Sequence, residues 1–127
     1  MNIGVPKEIK DNEKRVALTP FGASQLTNNG HTVLIEDNAG LGSGYTNKKY
    51  TSFGAEIVNS PKEIFDKSDL IVKVKEPQKD EISLIKDGQM IFTFFHFAAS
   101  KSLTEGILDS NCISIAYETI EDENGNL

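Results

Sequence analysis

Apolar residues in this chain come in short runs separated by polar stretches that carry helix-start signals. Asn2 to Val5, Thr32 to Glu36, Leu70 to Val74, Met90 to Phe95 and Cys112 to Tyr117 are the runs. Each is four to six residues of mainly aliphatic, β-branched or aromatic type, the length and composition of a strand. Met90 to Phe95 is almost wholly apolar, as expected of a central strand covered on both faces. Between the runs, Thr19-Pro20 offers an N-cap followed by proline where its missing N–H costs nothing, with Gly30 to end the helix. Ser60-Pro61-Lys62-Glu63 and Ser102 to Glu105 read as capping boxes. A short helix is expected from Glu81 to Lys86, stopped near Gly88. Strands alternating with helices predict an α/β fold: a Rossmann-like, mostly parallel sheet flanked by helices.

A chain of 127 residues is one domain with one modest core. Its net charge of −6 argues against nucleic acid as a partner, because phosphate binding needs a basic patch. Cys112 is the single cysteine, so no intrachain disulfide forms, and a reducing, cytoplasmic setting is expected. The apolar segment Ile3 to Val5 is too short for a signal peptide or a membrane span. The acidic tail from Glu118 to Leu127 carries a turn signal at Asn124-Gly125 with almost nothing after it. That placement predicts a chain cut from something longer.

Gly40-Leu41-Gly42-Ser43-Gly44 follows a strand and invites a dinucleotide reading. Its spacing differs from GxGxxG opening into a helix, and no acidic residue ends a second strand at the distance ribose recognition needs. It reads as a flexible surface loop. In an open parallel sheet, ligands bind beyond the carboxyl ends of the strands. Three candidates follow strand ends. Lys73 and Lys75 close the run at Leu70; strand alternation sends both to one side, so spacing does not choose between them, and either has the alternative of a solvated lysine. His96 follows Met90 to Phe95 and is placed for proton transfer, with a structural histidine as the alternative. Arg15 sits in the first loop beside Val16-Ala17-Leu18, able to grip a carboxylate with its fork or to form a surface ion pair. Together a guanidinium, an ammonium and an imidazole suit a small anionic substrate that gains or loses a proton. His31 reads as a turn residue, and no metal site is expected.

Ile3-Gly4-Val5-Pro6-Lys7-Glu8, Arg15-Val16-Ala17-Leu18-Thr19-Pro20, Ala39 to Gly44, Lys73-Val74-Lys75-Glu76-Pro77, Phe92 to Ala98 and Ala116-Tyr117-Glu118-Thr119 resemble the N-terminal domain of alanine dehydrogenases. The resemblance runs along the whole chain, and more distantly to the first domain of nicotinamide nucleotide transhydrogenase; saccharopine dehydrogenases match more weakly. It implies conversion of L-alanine, NAD and water to pyruvate, ammonia and NADH. It also implies that Arg15 holds the substrate carboxylate, that Lys75 contacts carboxylate and carbonyl oxygen, and that His96 is the general acid/base. The resemblance thus selects Lys75 over Lys73. Where the family often has tyrosine or leucine around the histidine, this chain has Phe94, Phe95 and Phe97. By the same resemblance, residues 1–127 are a truncated catalytic domain, NAD belongs to a Rossmann domain absent from them, and the isolated chain is inactive. The full-length enzyme is expected to be a homo-oligomer. A carboxylate-binding module and a remnant of an interrupted gene are the rival readings.

Overall fold

The computed structural model describes residues 1–127. Six strands form one sheet: β1 (Asn2–Val5), β2 (Thr32–Glu36), β3 (Glu56–Val58), β4 (Leu70–Lys75), β5 (Met90–Phe94) and β6 (Ile113–Ala116). Their spatial order is β3-β2-β1-β4-β5-β6, and every neighbouring pair is parallel. The expected mostly parallel sheet is therefore wholly parallel. The chain winds outward from β1 in one direction to β3, then crosses back to β4 and winds the other way. Such a reversal opens a crevice beyond the carboxyl ends of β1 and β4, where loops leave the sheet to opposite sides.

The helices are α1 (Pro20–Asn28), α2 (Asn47–Ser52), α3 (Pro61–Lys67), α4 (Lys79–Ile82) and α5 (Lys101–Asp109). Thr19 caps α1 by accepting the Gly22 N–H, and Ser60 caps α3 by accepting that of Glu63. The second capping box is not at Ser102. Ser100 is the cap, accepting the Leu103 N–H at 3.2 Å, and Ser102 lies inside α5. α4 begins earlier than Glu81, because the Glu81 carboxylate turns back to accept the Gln78 N–H at 2.8 Å. β5 stops at Phe94, since Phe95 turns into the core.

Two apolar clusters sandwich the sheet. One joins Ile64 and Phe65 of α3 and Leu103 and Ile107 of α5 to Ile71, Ile91 and Phe95. The other joins Ala23 of α1 and Tyr50 of α2 to Val5, Val33 and Ile35. Gly4 sits where β1 meets the first layer: a Cβ there would lie 2.2 Å from Ser68 Oγ, so only glycine lets α3 approach this closely. β5 is not covered on both faces. Ile91 and Thr93 are buried, but Phe92 is half-buried and borders an open groove of about 410 Å³ with Val72, Val74, Val16, Ala17 and Tyr117. No helix is long and apolar enough to cross a membrane.

Candidate active site

The crevice edge of the sheet collects the sequence candidates. Arg15 lies in the loop after β1. Its guanidinium grips Glu13 in the two-pronged way, Nε and Nη2 donating at 2.9 and 2.7 Å, while its backbone N–H donates to the same carboxylate at 2.9 Å. This pairing pushes the Glu13 carboxyl down to about 2. The positive charge of Lys75 adds to the lowering, so Glu13 lies within the field of both cations. The Arg15 side chain is 66% exposed, whereas that of Glu13 is 8% exposed.

The loop carrying Arg15 is held from behind. Residues Leu41–Ser43 of the glycine cluster form a 3-10 turn, not a flexible loop, and a Cβ on Gly42 would lie 2.3 Å from the Lys14 carbonyl oxygen. Gly42 thus serves close backbone packing against the neighbour of Arg15. The turn does not open directly into a helix, since Gly44, Tyr45 and Thr46 separate it from α2, and its closest approach, at Gly42, is filled by the Lys14 backbone. These residues do not fit a dinucleotide phosphate.

Lys73 and Lys75 have separate surroundings. Between Val72 and Lys75, β4 advances three residues while β5 advances two, from Phe92 to Phe94. The extra residue is a bulge lying between those two positions. Lys73 is fully buried, its ammonium 2.8 Å from Glu81 Oε1 and 3.3 Å from Glu8 Oε2. The other Glu8 oxygen accepts the Val74 N–H at 2.7 Å. Burial raises the Glu8 carboxyl above its ordinary range, with Lys73 opposing. Lys73 is committed to this ion cluster. Lys75 is only half-buried, and its Nζ lies 5.5 Å from the centroid of the Phe94 ring, a cation–π placement.

His96 follows β5 in the left-handed conformation, φ 49° and ψ 50°, uncommon for a residue with a side chain. It is exposed, and its ring lies edge-on to Phe94, centroids 5.8 Å apart. Lys75 and His96 together line a cavity of about 70 Å³ with Phe94, Lys10 and Glu76. Lys10 is ion-paired to Glu76, joining the β1 loop to the end of β4. Arg15 borders the adjoining groove, where Tyr117 packs on Phe92 and Phe94 at 5.3 and 6.1 Å between centroids. The structure therefore brings Lys75 and His96 into one cavity and sets Arg15 on its neighbour. A larger depression of about 530 Å³ between α4 and α5, lined by Pro77, Gln78, Ile82, Ser102 and Gly106 among others, holds none of the three. His31 stands at the opposite edge, its Nδ1 3.3 Å from the amino terminus. Glu13, Tyr117 and Glu118 also belong to the edge. Glu13 is a loop neighbour of Arg15 that sequence reading did not single out, whereas Tyr117 and Glu118 reach the edge only through the fold.

The chain as a whole has counterparts among known proteins. The alanine dehydrogenase/PNT N-terminal domain family matches residues 4–127. Alanine dehydrogenase of Methanococcus maripaludis is 51% identical over 121 residues, 95% of this chain and 32% of the relative. That of Bacillus subtilis is 51% identical over 122 residues, 96% of this chain and 32% of the relative. A solved L-alanine dehydrogenase superposes with a TM-score of 0.95 at 44% identity, covering 99% of this chain and 35% of that one. A transhydrogenase from Sinorhizobium meliloti shares the fold, with a TM-score of 0.90 at 24% identity over 98% of this chain and 35% of its own. The chain spans about a third of the length of the curated relatives it matches. By sequence and fold it belongs to the alanine dehydrogenase/PNT N-terminal domain family.

Proposed function

We propose that these residues form the substrate half of an NAD-dependent L-alanine dehydrogenase, which converts L-alanine, NAD and water to pyruvate, ammonium, NADH and a proton. The observation that carries the reading is the pairing of Lys75 with His96 in one cavity while the rival Lys73 is buried among carboxylates. Arg15 presents an exposed fork suited to a carboxylate, once Glu13 shares it. Lys75 supplies the ammonium that would hydrogen-bond the carboxylate and the substrate oxygen and offset negative charge growing there. His96, exposed beside that cavity, exchanges protons with the nitrogen and oxygen of the substrate as imine and carbinolamine form and collapse. The Phe94 ring keeps one wall apolar and strengthens these charges by excluding water.

None of these residues is assigned to NAD, because the Lys14 backbone already occupies the close approach at Gly42 in the glycine turn. The hydride acceptor is placed on residues outside the 127, as the threefold greater length of the relatives allows. The full-length enzyme is proposed to be cytoplasmic and homo-oligomeric. Two titrations of the chain test this division. Pyruvate should shift backbone NMR signals at Arg15, Lys75 and His96, and NADH should leave its own fluorescence unchanged. Pyruvate shifts confined to the α4–α5 depression, or clear NADH binding, would overturn the assignment.

A further inference from the structure

The short turn after β6 reaches back over the ends of both strands that carry the proposed site. Tyr117 donates its hydroxyl to the Val74 carbonyl at 2.6 Å, one residue before Lys75. Its ring packs on Phe94, the same ring that Lys75 and His96 approach. Burial pushes the Tyr117 phenol above its ordinary range, which keeps it a neutral donor. The next residue, Glu118, accepts the His96 backbone N–H on Oε1 at 2.7 Å. Its Oε2 is buried without a hydrogen-bond partner.

The two contacts fall where the backbone needs them. The ladder to β5 slips by a residue between Val72 and Lys75, so Val74, whose carbonyl Tyr117 meets, has no regular partner in β5 and the approach to Lys75 is held less firmly by the sheet. His96 occupies the left-handed region, which a residue with a side chain adopts only when its surroundings over-determine it. The Phe95–Phe97 stack, at 4.6 Å, and the His96 carbonyl bonded to Ala99 N–H hold one side of that conformation. Glu118 holds the other with a bond to a charged acceptor, stronger than a neutral one. An unpartnered buried oxygen is costly, so a carboxylate kept there fits a positional demand better than a stability one.

We propose that the Tyr117–Glu118 turn is a clamp that positions the proposed site: Tyr117 sets the end of β4 beside Lys75, and Glu118 sets His96. Both act through other groups and are positioning residues. The inference rests on the reading of Lys75 and His96 given above, and it extends the site to a third strand end.

The test uses Glu118→Ala, Glu118→Gln and Tyr117→Phe in the 127-residue chain, with NMR hydrogen exchange at the His96 amide and pyruvate titration as readouts. Glu118→Ala should speed His96 exchange roughly tenfold or more and weaken the pyruvate shifts at His96, with amides of β1 and β2 unchanged. Glu118→Gln retains an acceptor oxygen and should restore most of the protection. Tyr117→Phe should change the signals of Val74 and Lys75 and leave His96 protection near that of the parent. Unchanged His96 exchange in Glu118→Ala overturns the clamp, as does loss of protection throughout the sheet in both Glu118 variants. If the clamp variants behave as expected but pyruvate shifts nothing at His96 in the parent chain, the clamp's structural half stands and its functional half falls with the site.

Discussion

Replacing Lys73 by methionine should be far more damaging to the fold than the same change two residues on at Lys75. Methionine is close to lysine in length, so the perturbation is the charge and not the volume. At position 73 it leaves Glu8 and Glu81, with side chains 2% and 3% exposed, facing each other without their shared cation. Removing one partner from a buried ion cluster costs about 3–5 kcal/mol. With a denaturant slope of about 2 kcal/mol per molar urea, the unfolding midpoint should fall by about 2 M. At position 75 the loss is one partly exposed cation–π contact, about 0.5–1 kcal/mol, and a midpoint shift of under about 0.5 M. The Lys73 cost also has a pH signature. Glu8 already has a raised pKa, so its protonated form is favoured in the fold and its charged form disfavoured as pH rises above 4.5. Without Lys73 that preference grows, so the damage should be greater near neutral pH than in mild acid. Adding Glu8→Gln and Glu81→Gln removes the stranded charges while keeping oxygen acceptors for Val74 and Gln78, and should recover part of the loss. Urea unfolding followed by circular dichroism measures all four chains. A Lys75→Met variant destabilised as much as Lys73→Met would refute the division of the two lysines.

Three further outcomes are expected. Gly42→Ala places a methyl against the Lys14 carbonyl and should cost about 1–3 kcal/mol by thermal unfolding; parental stability would show that the glycine turn can move away from the Arg15 loop. The Glu13 carboxyl should titrate by NMR with a midpoint at about 2, its pairing with Arg15 present above 4.5 and lost as pH falls through 2. Arg15→Gln should raise that midpoint toward 4.5, and an unmoved midpoint would show the pair to be insignificant. The half-open face with Val72, Val74 and Phe92, flanked by the edge strand at Ile113, should make the chain self-associate with concentration in sedimentation. Ile113→Lys should reduce that association, and a parent chain monomeric at every concentration would contradict it.

Local chemistry made much of the fold legible. β1 and β2 occur at the residues their apolar runs mark, and proline after Thr19 and Ser60 starts the helices where it stands. β3 was invisible because Glu56–Val58 is three residues with one buried, and it becomes a strand by pairing with Leu34 to Glu36. α2 went unseen because Thr46 caps it without an acidic residue to complete a box; Lys49 stands there instead. At the site, strand-end placement pointed to Arg15, to Lys73 or Lys75 alike, and to His96, and these lie toward the carboxyl edge. Spacing left Lys73 and Lys75 tied and the family resemblance chose Lys75; the ladder slip between Val72 and Lys75 is something no two-residue period reveals. Glu118 meets His96 across twenty-two positions of sequence, and that contact exists only because β6 pairs beside β5.

The central claim is that His96 transfers protons for a substrate held by Lys75 and Arg15. Its most direct test is the rate of pyruvate reduction with ammonium and NADH by a protein in which these residues are continued with the cofactor-binding part of a relative such as the Bacillus subtilis enzyme. The parent should turn over, and His96→Ala should lower kcat roughly 100-fold to 10,000-fold, the range a general acid/base supplies, with NADH affinity unchanged. Turnover by His96→Ala within a few fold of the parent would contradict the claim.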